Sequence, residues 1–470
     1  MSAYKKLTIL HSNDMHGDFL AERIEEGLIG GVSMLSGYVQ KVRQEEANVI
    51  YCIAGDMFRG SIIDSEYKGI STIEIMNAIA PDVVTLGNHE IDYGIAHLLF
   101  LEKCAKFPIV NSNLYIKSNH SRLFQPYFIK EIDGMRILFI GIITESVLHA
   151  TRNETHIGTL VDVYDAAMEI GRICNAYKTT DIDLTVLLTH IGFEQDKELA
   201  ACLDPTWGVD LIIGGHSHTA LDQAVVVNDI AIVQAKTGTD QIGRFDLLID
   251  TAQNKIHSYK WKCISIEEAI CPKDIYVEQL LTNYKQQTDK KYGRIITRLS
   301  HQLTHPTRIQ QTEIGHLFSN IVARLQALDL MFIASGSIRA ETLGPLVHYA
   351  DLVTAFPYDS PLFLLKINGV QLHRMILYML KKGIKGNGYF QISERLQIQD
   401  ADCEEVQITF DGMPLDEKRI FRIGMMEYHY HSFIDYFGFP KDEFEKENRS
   451  CIIATSIRDI LEEGLLKMKI

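Results

Sequence analysis

Five short polar segments in the first half of the sequence carry side chains able to bind divalent metals. They are His11-Ser12-Asn13-Asp14-Met15-His16-Gly17, Gly55-Asp56, Gly87-Asn88-His89-Glu90, Thr189-His190 and Gly214-Gly215-His216-Ser217-His218. Asp, Asn and several His with no Cys among them form a nitrogen-and-oxygen donor set suited to divalent cations, with enough donors for two. Asp14 and His16, two residues apart on an extended segment, face the same way and can grip one ion from one side. Asp56 has two carboxylate oxygens and can bridge a pair of cations. Asn88 offers a neutral carbonyl oxygen, and His190 and His216 supply imidazoles to a second ion. His218, two beyond His216, points back toward the first.

The elements that must position these groups are legible as apolar runs. Residues 7–10, 49–54, 83–86, 184–188 and 211–213 each read as a buried strand, and each directly precedes one of the polar segments. In an α/β fold, strand ends converge on one edge of the sheet, so the polar groups should meet in space. Residues 5 to about 265 alternate such strands with amphipathic stretches at 31–45 and 161–177. A hairpin is expected over 127–143 around Asp133-Gly134, and strands at 231–235 and 245–249 suggest sheets that finish as antiparallel ribbons. Residues 274–292 read as one polar-faced helix that starts after Cys271-Pro272 and stops at Gly293. Beyond it, helices at 313–328 and 369–382 alternate with strands at 330–334, 362–367, 405–410 and 421–425. The expected organisation is a metal domain over 1–270, a connecting helix over 271–293 and a substrate domain over 294–470.

Composition bounds the function. A chain of 470 residues is too long for one ordinary core, and 46% apolar with 23% charged residues is globular rather than disordered. A net charge of −15 argues against a nucleic-acid polymer as partner, because a phosphate backbone needs a positive field. It leaves room for a small anion, since bound cations invert the local potential. The N-terminus shows no signal-peptide core, and no stretch is long and apolar enough to span a membrane. The eight cysteines are scattered without a C-x-x-C pair. A reduced, cytoplasmic setting is expected, with no membrane partner. Oligomeric state leaves no readable trace.

The ordered set Asp-x-His, Gly-Asp, Gly-Asn-His-Glu, His and Gly-His-x-His resembles the calcineurin-like metallophosphoesterase superfamily. The longer forms, His-x-Asn-Asp-x-His-Gly and Gly-His-Ser-His, are similar to its 5′-nucleotidase and UDP-sugar hydrolase branch. The resemblance implies a four-layer α/β/β/α sandwich followed by a C-terminal α+β substrate-binding domain. It also implies a dinuclear centre in which Asp14, His16, Asp56 and His218 hold one ion and Asp56, Asn88, His190 and His216 the other. Two neighbouring cations acidify water and clamp phosphoryl oxygens during in-line displacement, which agrees with that chemistry. Mn2+, Zn2+, Co2+, Ni2+ and Fe2+ all suit such donors. The same resemblance makes His89 the group that stabilises the transition state and protonates the leaving oxygen, oriented by Asp92.

In the C-terminal part, the segment 307–315 resembles the family's arginine-containing entry to a helix and supplies Arg308, while Thr304 stands where some members have a second arginine. Ala334-Ser335-Gly336-Ser337-Ile338-Arg339 is similar to the family's Asn-x-Gly-Gly-x-Arg turn, with serines replacing Asn and the second Gly, and supplies Arg339. A guanidinium suits phosphate or carboxylate. Two aromatic positions that clasp the base in the family fall on Tyr358 and Tyr428, and Asp435 is a displaced counterpart of the family's Gly-Gly-Asp aspartate. The function implied is a metal-dependent phosphomonoester hydrolase, a 5′-nucleotidase acting on a small phosphorylated metabolite. A cyclic-nucleotide phosphodiesterase, a nucleotide-sugar hydrolase, another metabolite phosphatase and a non-catalytic nucleotide sensor are the alternatives.

Overall fold

Alternating burial sorts the strands of the N-terminal half onto two sheets. One runs, edge to edge, through Lys255–Ser265, Gln241–Asp250, Tyr4–Ser12, Val49–Ala54, Val83–Thr85 and Ile109–Val110. The other runs through Val225–Val227, Ile230–Val233, Leu211–Ile213, Leu184–His190, Met135–Ile143 and Tyr127–Ile132. Their centres are parallel: Tyr4–Ser12 pairs with Val49–Ala54, and Leu184–His190 lies between Met135–Ile143 and Leu211–Ile213. Three of their four margins are antiparallel ribbons, including the hairpin turning at Asp133-Gly134, and the fourth, Ile109–Val110 on Val83–Thr85, is parallel.

Because side chains on a strand point alternately to opposite faces, each central strand feeds two cores. Ile9, Ile50, Cys52 and Ala54 meet Ile137, Phe139, Val186, Leu188 and Ile213 between the sheets. Leu10, Tyr51, Ile53 and Val84 turn the other way, onto Met34, Leu35 and Val39 of the helix Val32–Glu45. Leu138, Ile140, Leu187 and Ile212 pack on Ile170 and Ile173 of the helix Val163–Ala176 and Leu199 of the helix Phe193–Cys202. The result is four layers, helix, sheet, sheet, helix. Each fully buried Leu, Ile or Phe contributes roughly 1.5–3 kcal/mol, so this burial holds the strand ends in register.

The computed structural model describes residues 4–24, 27–144, 157–159, 162–357, 359–383, 389–401, 405–446 and 449–468. The chain divides into two units, Met1–Thr288 and Asp289–Ile470. The helix Ile275–Tyr292 begins in the first unit, where Asp274 caps it by accepting from the backbone N–H groups of Tyr276 and Val277 at 3.0 and 3.3 Å. The same carboxylate takes Ser36 Oγ at 2.7 Å and Gln40 Nε2 at 2.5 Å, which ties the helix start to Val32–Glu45.

The second unit is built on a five-stranded sheet ordered Phe390–Ile392, Leu330–Ala334, Ile420–Met426, Leu362–Asn368 and Cys451–Ala454. Leu330–Ala334 and Ile420–Met426 are parallel, and the other neighbours are antiparallel. Phe332, Phe390, Phe421, Phe433 and Phe437 fill one core with Leu372, Met375 and Met379 of the helix Gly369–Gly383. The helix Glu313–Leu325 is capped by Thr312, whose Oγ1 accepts from Gly315 N at 3.1 Å.

Candidate active site

The first polar segment does not extend its strand. Tyr4–Ser12 ends before Asp14, and Asp14 and His16 occupy left-handed backbone with φ of 51° and 48°. The expectation of two side chains aligned along an extended strand is therefore corrected: a pair of left-handed turns presents them. The turns are fixed by pairing with the next loop, Asp14 N to Gly55 O at 3.0 Å, His16 N to Asp56 O at 2.9 Å and Gly17 N to Met57 O at 2.9 Å. Asp56, His216 and His218 are left-handed too, with φ of 53°, 80° and 53°. Non-glycine residues in this region cost of order 1–3 kcal/mol each and persist where surrounding structure over-determines them, as it does at functional sites.

These turns bring the side chains together. Ligand-capable atoms of Asp14, His16 and His218 lie within 4.8 Å of one another, as do those of Asp56, His190 and His216. Asp56 Oδ2 is 3.0 Å from His190 Nε2 and 3.9 Å from His16 Nε2, so its carboxylate faces both groups. His218 Nε2 is 3.3 Å from Asp14 Oδ1 and 3.1 Å from His16 Nε2. Asp14 also accepts from the backbone N–H of His216 at 2.9 Å.

The chemistry of these donors fits cations. His190 is buried and donates Nδ1–H to Ala54 O at 2.8 Å, which leaves the lone pair of Nε2 turned toward Asp56. Among the described residues Nε2 has no aligned hydrogen bond, and the buried Oδ1 of Asn88 has none either. A buried acceptor left unpaired costs about 1–3 kcal/mol, and a positive species beside His190 Nε2 removes that cost there. In the protein alone that species is a proton. Burial opposes charge on His190, but Asp56 and then Asp14 outweigh it and carry the imidazole up to about 9. Burial likewise opposes ionisation of Asp56, yet His190 and the bond from His89 N hold its carboxyl well below the usual range. Burial pushes His16 and His216 down, which favours the neutral, ligating form.

His89 reaches the cluster on a 3-10 turn, His89–Ile91, entered from Asn88 in right-handed helical conformation. Asn88 and His89 therefore lie on a tight turn and not on an extended segment. His89 N donates to Asp56 Oδ1 at 2.9 Å, and its Nδ1 lies 2.7 Å from Asp92 Oδ2. A third grouping within 4.8 Å joins His89 to His16 and Asp56. The hydrogen bond to Asp92, outweighing burial, raises the affinity of His89 for its proton.

Three residues with no role assigned from sequence support this arrangement. Glu90, 1% exposed, accepts from the backbone N–H groups of Gly87 (2.5 Å), Asp56 (3.0 Å), Met57 (2.7 Å) and Phe58 (3.3 Å), clamping two of the strand-end loops together. Arg59 donates to Asp92 Oδ2 at 2.7 Å, the same oxygen that holds His89. Asn13 bridges Asp14 Oδ2 and Lys236 O, both at 2.7 Å. Both Asn13 and Glu90 had a signal, their place inside the polar segments; Arg59, beyond the second of these, had none. Gly87 is required by contact, because a Cβ there would collide with Asp56 Oδ1.

In the second unit, Arg308, Arg339 and Tyr428 line one cavity of about 440 Å³, together with Ser337, His429 and Tyr436. Tyr358 lies outside the described residues. Asp435 is exposed and does not line that cavity; its neighbour Tyr436 does. The serine that replaces the family's asparagine is part of a buried network. Ser335 Oγ takes Gln391 Nε2 at 2.8 Å, and Gln391 Oε1 takes Thr312 N at 2.9 Å. Thr304, where some relatives have arginine, bonds Glu313 through Oγ1 at 2.9 Å.

Residues 7–220 match the calcineurin-like phosphoesterase model, and residues 292–437 match the 5′-nucleotidase C-terminal domain. The chain belongs to the 5′-nucleotidase family of calcineurin-like metallophosphoesterases. It is 26% identical to the 5′-nucleotidase of Homo sapiens, over 88% of this chain and 81% of that protein. It is 24% identical to protein UshA of Yersinia enterocolitica, over 90% of this chain and 84% of that protein. In fold it is similar to a 5′-nucleotidase precursor from Thermus thermophilus, with a TM-score of 0.66 at 19% identity, covering 99% and 97% of the two chains. As a member of this family the protein is a hydrolase of phosphoric esters, with a site for divalent metal.

Proposed function

We propose that the protein hydrolyses nucleoside 5′-monophosphates to nucleoside and phosphate with two divalent cations. Asp14, His16 and His218 would hold one ion, Asn88, His190 and His216 the other, and Asp56 both. The observation carrying this reading is the convergence of Asp14, His16, His190, His216 and His218 around Asp56, with Asn88 Oδ1 buried and without a hydrogen bond among the described residues. Bound there, the cations would acidify a water molecule and neutralise charge on the phosphoryl oxygens. Mn2+, Zn2+, Co2+, Ni2+ and Fe2+ are all compatible with these nitrogen and oxygen donors.

The chain's own acid is His89. Asp92 holds Nδ1, so Nε2 is the nitrogen offered to the substrate, and a proton there can pass to the departing 5′ oxygen. Arg59 keeps Asp92 in place through the shared oxygen. In the second unit Arg308 and Arg339 suit the anionic part of a nucleotide, and Tyr428, with Tyr358 as its expected companion, suits the base. A reducing, cytoplasmic compartment agrees with the free cysteines among the described residues.

The test uses protein stripped of metal and reloaded with Mn2+ or Zn2+. It is offered AMP, UDP-glucose, 3′,5′-cyclic AMP and bis(p-nitrophenyl) phosphate. Phosphate release fastest from AMP is expected. Preference for the cyclic nucleotide or the nucleotide sugar would overturn the substrate, and no turnover at full metal loading would favour a sensor.

A further inference from the structure

The loop carrying His216 and His218 holds both histidines in left-handed backbone, with φ of 80° and 53°. That conformation is costly for any residue but glycine and lasts only where its surroundings impose it. Glu90 clamps the loops of Asp56 and Asn88, through Asp56 N and Gly87 N. The side chain that grips the third loop most fully is Gln234. It directly follows the strand Ile230–Val233, which runs parallel to Leu211–Ile213 with Val233 opposite Ile213, so it stands level with the start of that loop.

Gln234 is fully buried, and both donors and both lone pairs of its amide are engaged here. Oε1 accepts from Ser217 Oγ at 3.0 Å and Thr219 N at 3.3 Å. Nε2 donates to Gly215 O at 3.1 Å and Asp196 Oδ2 at 3.2 Å. The grips on Gly215 and Ser217 bracket His216, and those on Ser217 and Thr219 bracket His218. Asp196, also fully buried, extends the reach, since its other oxygen takes Thr189 Oγ1 at 2.6 Å, next to His190. Packing closes the same contact: a Cβ on Gly214 would lie 2.1 Å from Asp196 Oδ2 and 3.0 Å from Gln234 Nε2. A carboxylate could not donate to Gly215 O, and an apolar side chain could do neither task, so the position calls for an amide.

We propose that Gln234 is a positioning residue shared by both halves of the metal centre. His218 falls in one group of candidate ligands and His190 and His216 in the other, so the loop it fixes serves both. Loss of Gln234 therefore weakens two ions together, whereas loss of a single histidine weakens chiefly its own. This rests on the two-cation reading above and adds to it the residue that couples the two sites. Gln234 touches neither ion nor substrate.

The experiment is calorimetric titration of Mn2+ into the metal-stripped, full-length protein, with AMP hydrolysis followed as Mn2+ is raised. Q234M, close in length and without polar atoms, should bind two ions with both Kd values raised about ten-fold. At saturating Mn2+ its kcat should return to the wild-type value with KM for AMP unchanged, which a generally damaged fold would not allow. Unchanged Kd values, a loss confined to one ion, or a kcat that stays low at full occupancy would overturn the proposal. S217A removes one grip on the same amide and should raise both Kd values about three-fold, the worth of one hydrogen bond, but add little in the Q234M background. Full additivity would count against the assignment. Should Q234M fail to fold, S217A alone decides, and wild-type affinity for both ions would refute it. Binding of fewer than two Mn2+ by the wild-type protein would overturn the two-cation reading, and this inference with it.

Discussion

Asp92 Oδ2 receives both His89 and Arg59, so two cationic groups share one oxygen. Replacing His89 removes the proton donor, whereas replacing Arg59 leaves the His89–Asp92 pair standing. H89A should therefore lower kcat by roughly 10²–10⁴ with metal content unchanged by elemental analysis, the usual span for a general acid. R59A should cost less than D92A, and an R59A loss equal to that of H89A would contradict the arrangement. Asp196 makes a separate prediction. It is buried beside Thr189 Oγ1 (2.6 Å) and Gln234 Nε2 (3.2 Å), and burial pushes its carboxyl up to about 7. The folded state thus keeps a proton that the unfolded chain releases above about 4. Its contribution to stability is full below that value and is lost as pH rises toward about 7. D196N should flatten this decline in a series of thermal melts from pH 4 to 8; an unchanged slope would count against it.

At the level of elements, what could be read in advance depended on how completely an element is buried. Val49–Ala54 and Leu211–Ile213 are buried along their whole length, so their apolar runs marked them residue for residue. Lys255–Ser265 went unread because it is a mostly exposed edge strand whose polar residues break any alternation. The candidate ligands could be read as a set because their types are rare in combination. The left-handed turns at Asp14, His16, His216 and His218 could not, because loop-to-loop pairing imposes them against local preference. The same holds for the clamp made by Glu90, whose partners are backbone amides that no sequence pattern reveals. Gln391, on the strand Phe390–Ile392, ties Ser335 Oγ to the segment carrying Arg308 by also donating to Gln310 O at 2.8 Å. Q391L would leave these groups unpaired and should destabilise the protein by about 1–3 kcal/mol in denaturant melts. It should also raise KM for AMP more than it lowers kcat. A mutant as stable as wild type would mean the network carries no weight.

Taken whole, the molecule is acidic, with net charge −15, and its candidate centre draws together Asp14 and Asp56 beside five imidazoles, His89 among them. Cations at that centre would bind the folded chain and not the unfolded one, so they should stabilise it by mass action, about 4 kcal/mol at a thousand-fold excess over Kd. Chelation should accordingly lower the melting temperature by roughly 10 °C for a unit of this size. Readdition of Mn2+ or Zn2+ should restore it, and a midpoint indifferent to chelator would argue against a resident metal. No helix among the described residues is long and apolar enough to cross a membrane.

The bond from His190 Nδ1 to Ala54 O has a kinetic consequence. A ring pinned through its inner nitrogen cannot spin, so the outer one keeps its direction at the end of a rigid strand, and an incoming ion has only to displace the proton held there beside Asp56. Little has to rearrange when an ion arrives, and the entropic toll of organising the coordination sphere has been met during folding. Uptake at this half of the centre should then be paced by the loss of that proton and quicken as pH rises toward about 9, as in a lock already cut for its key.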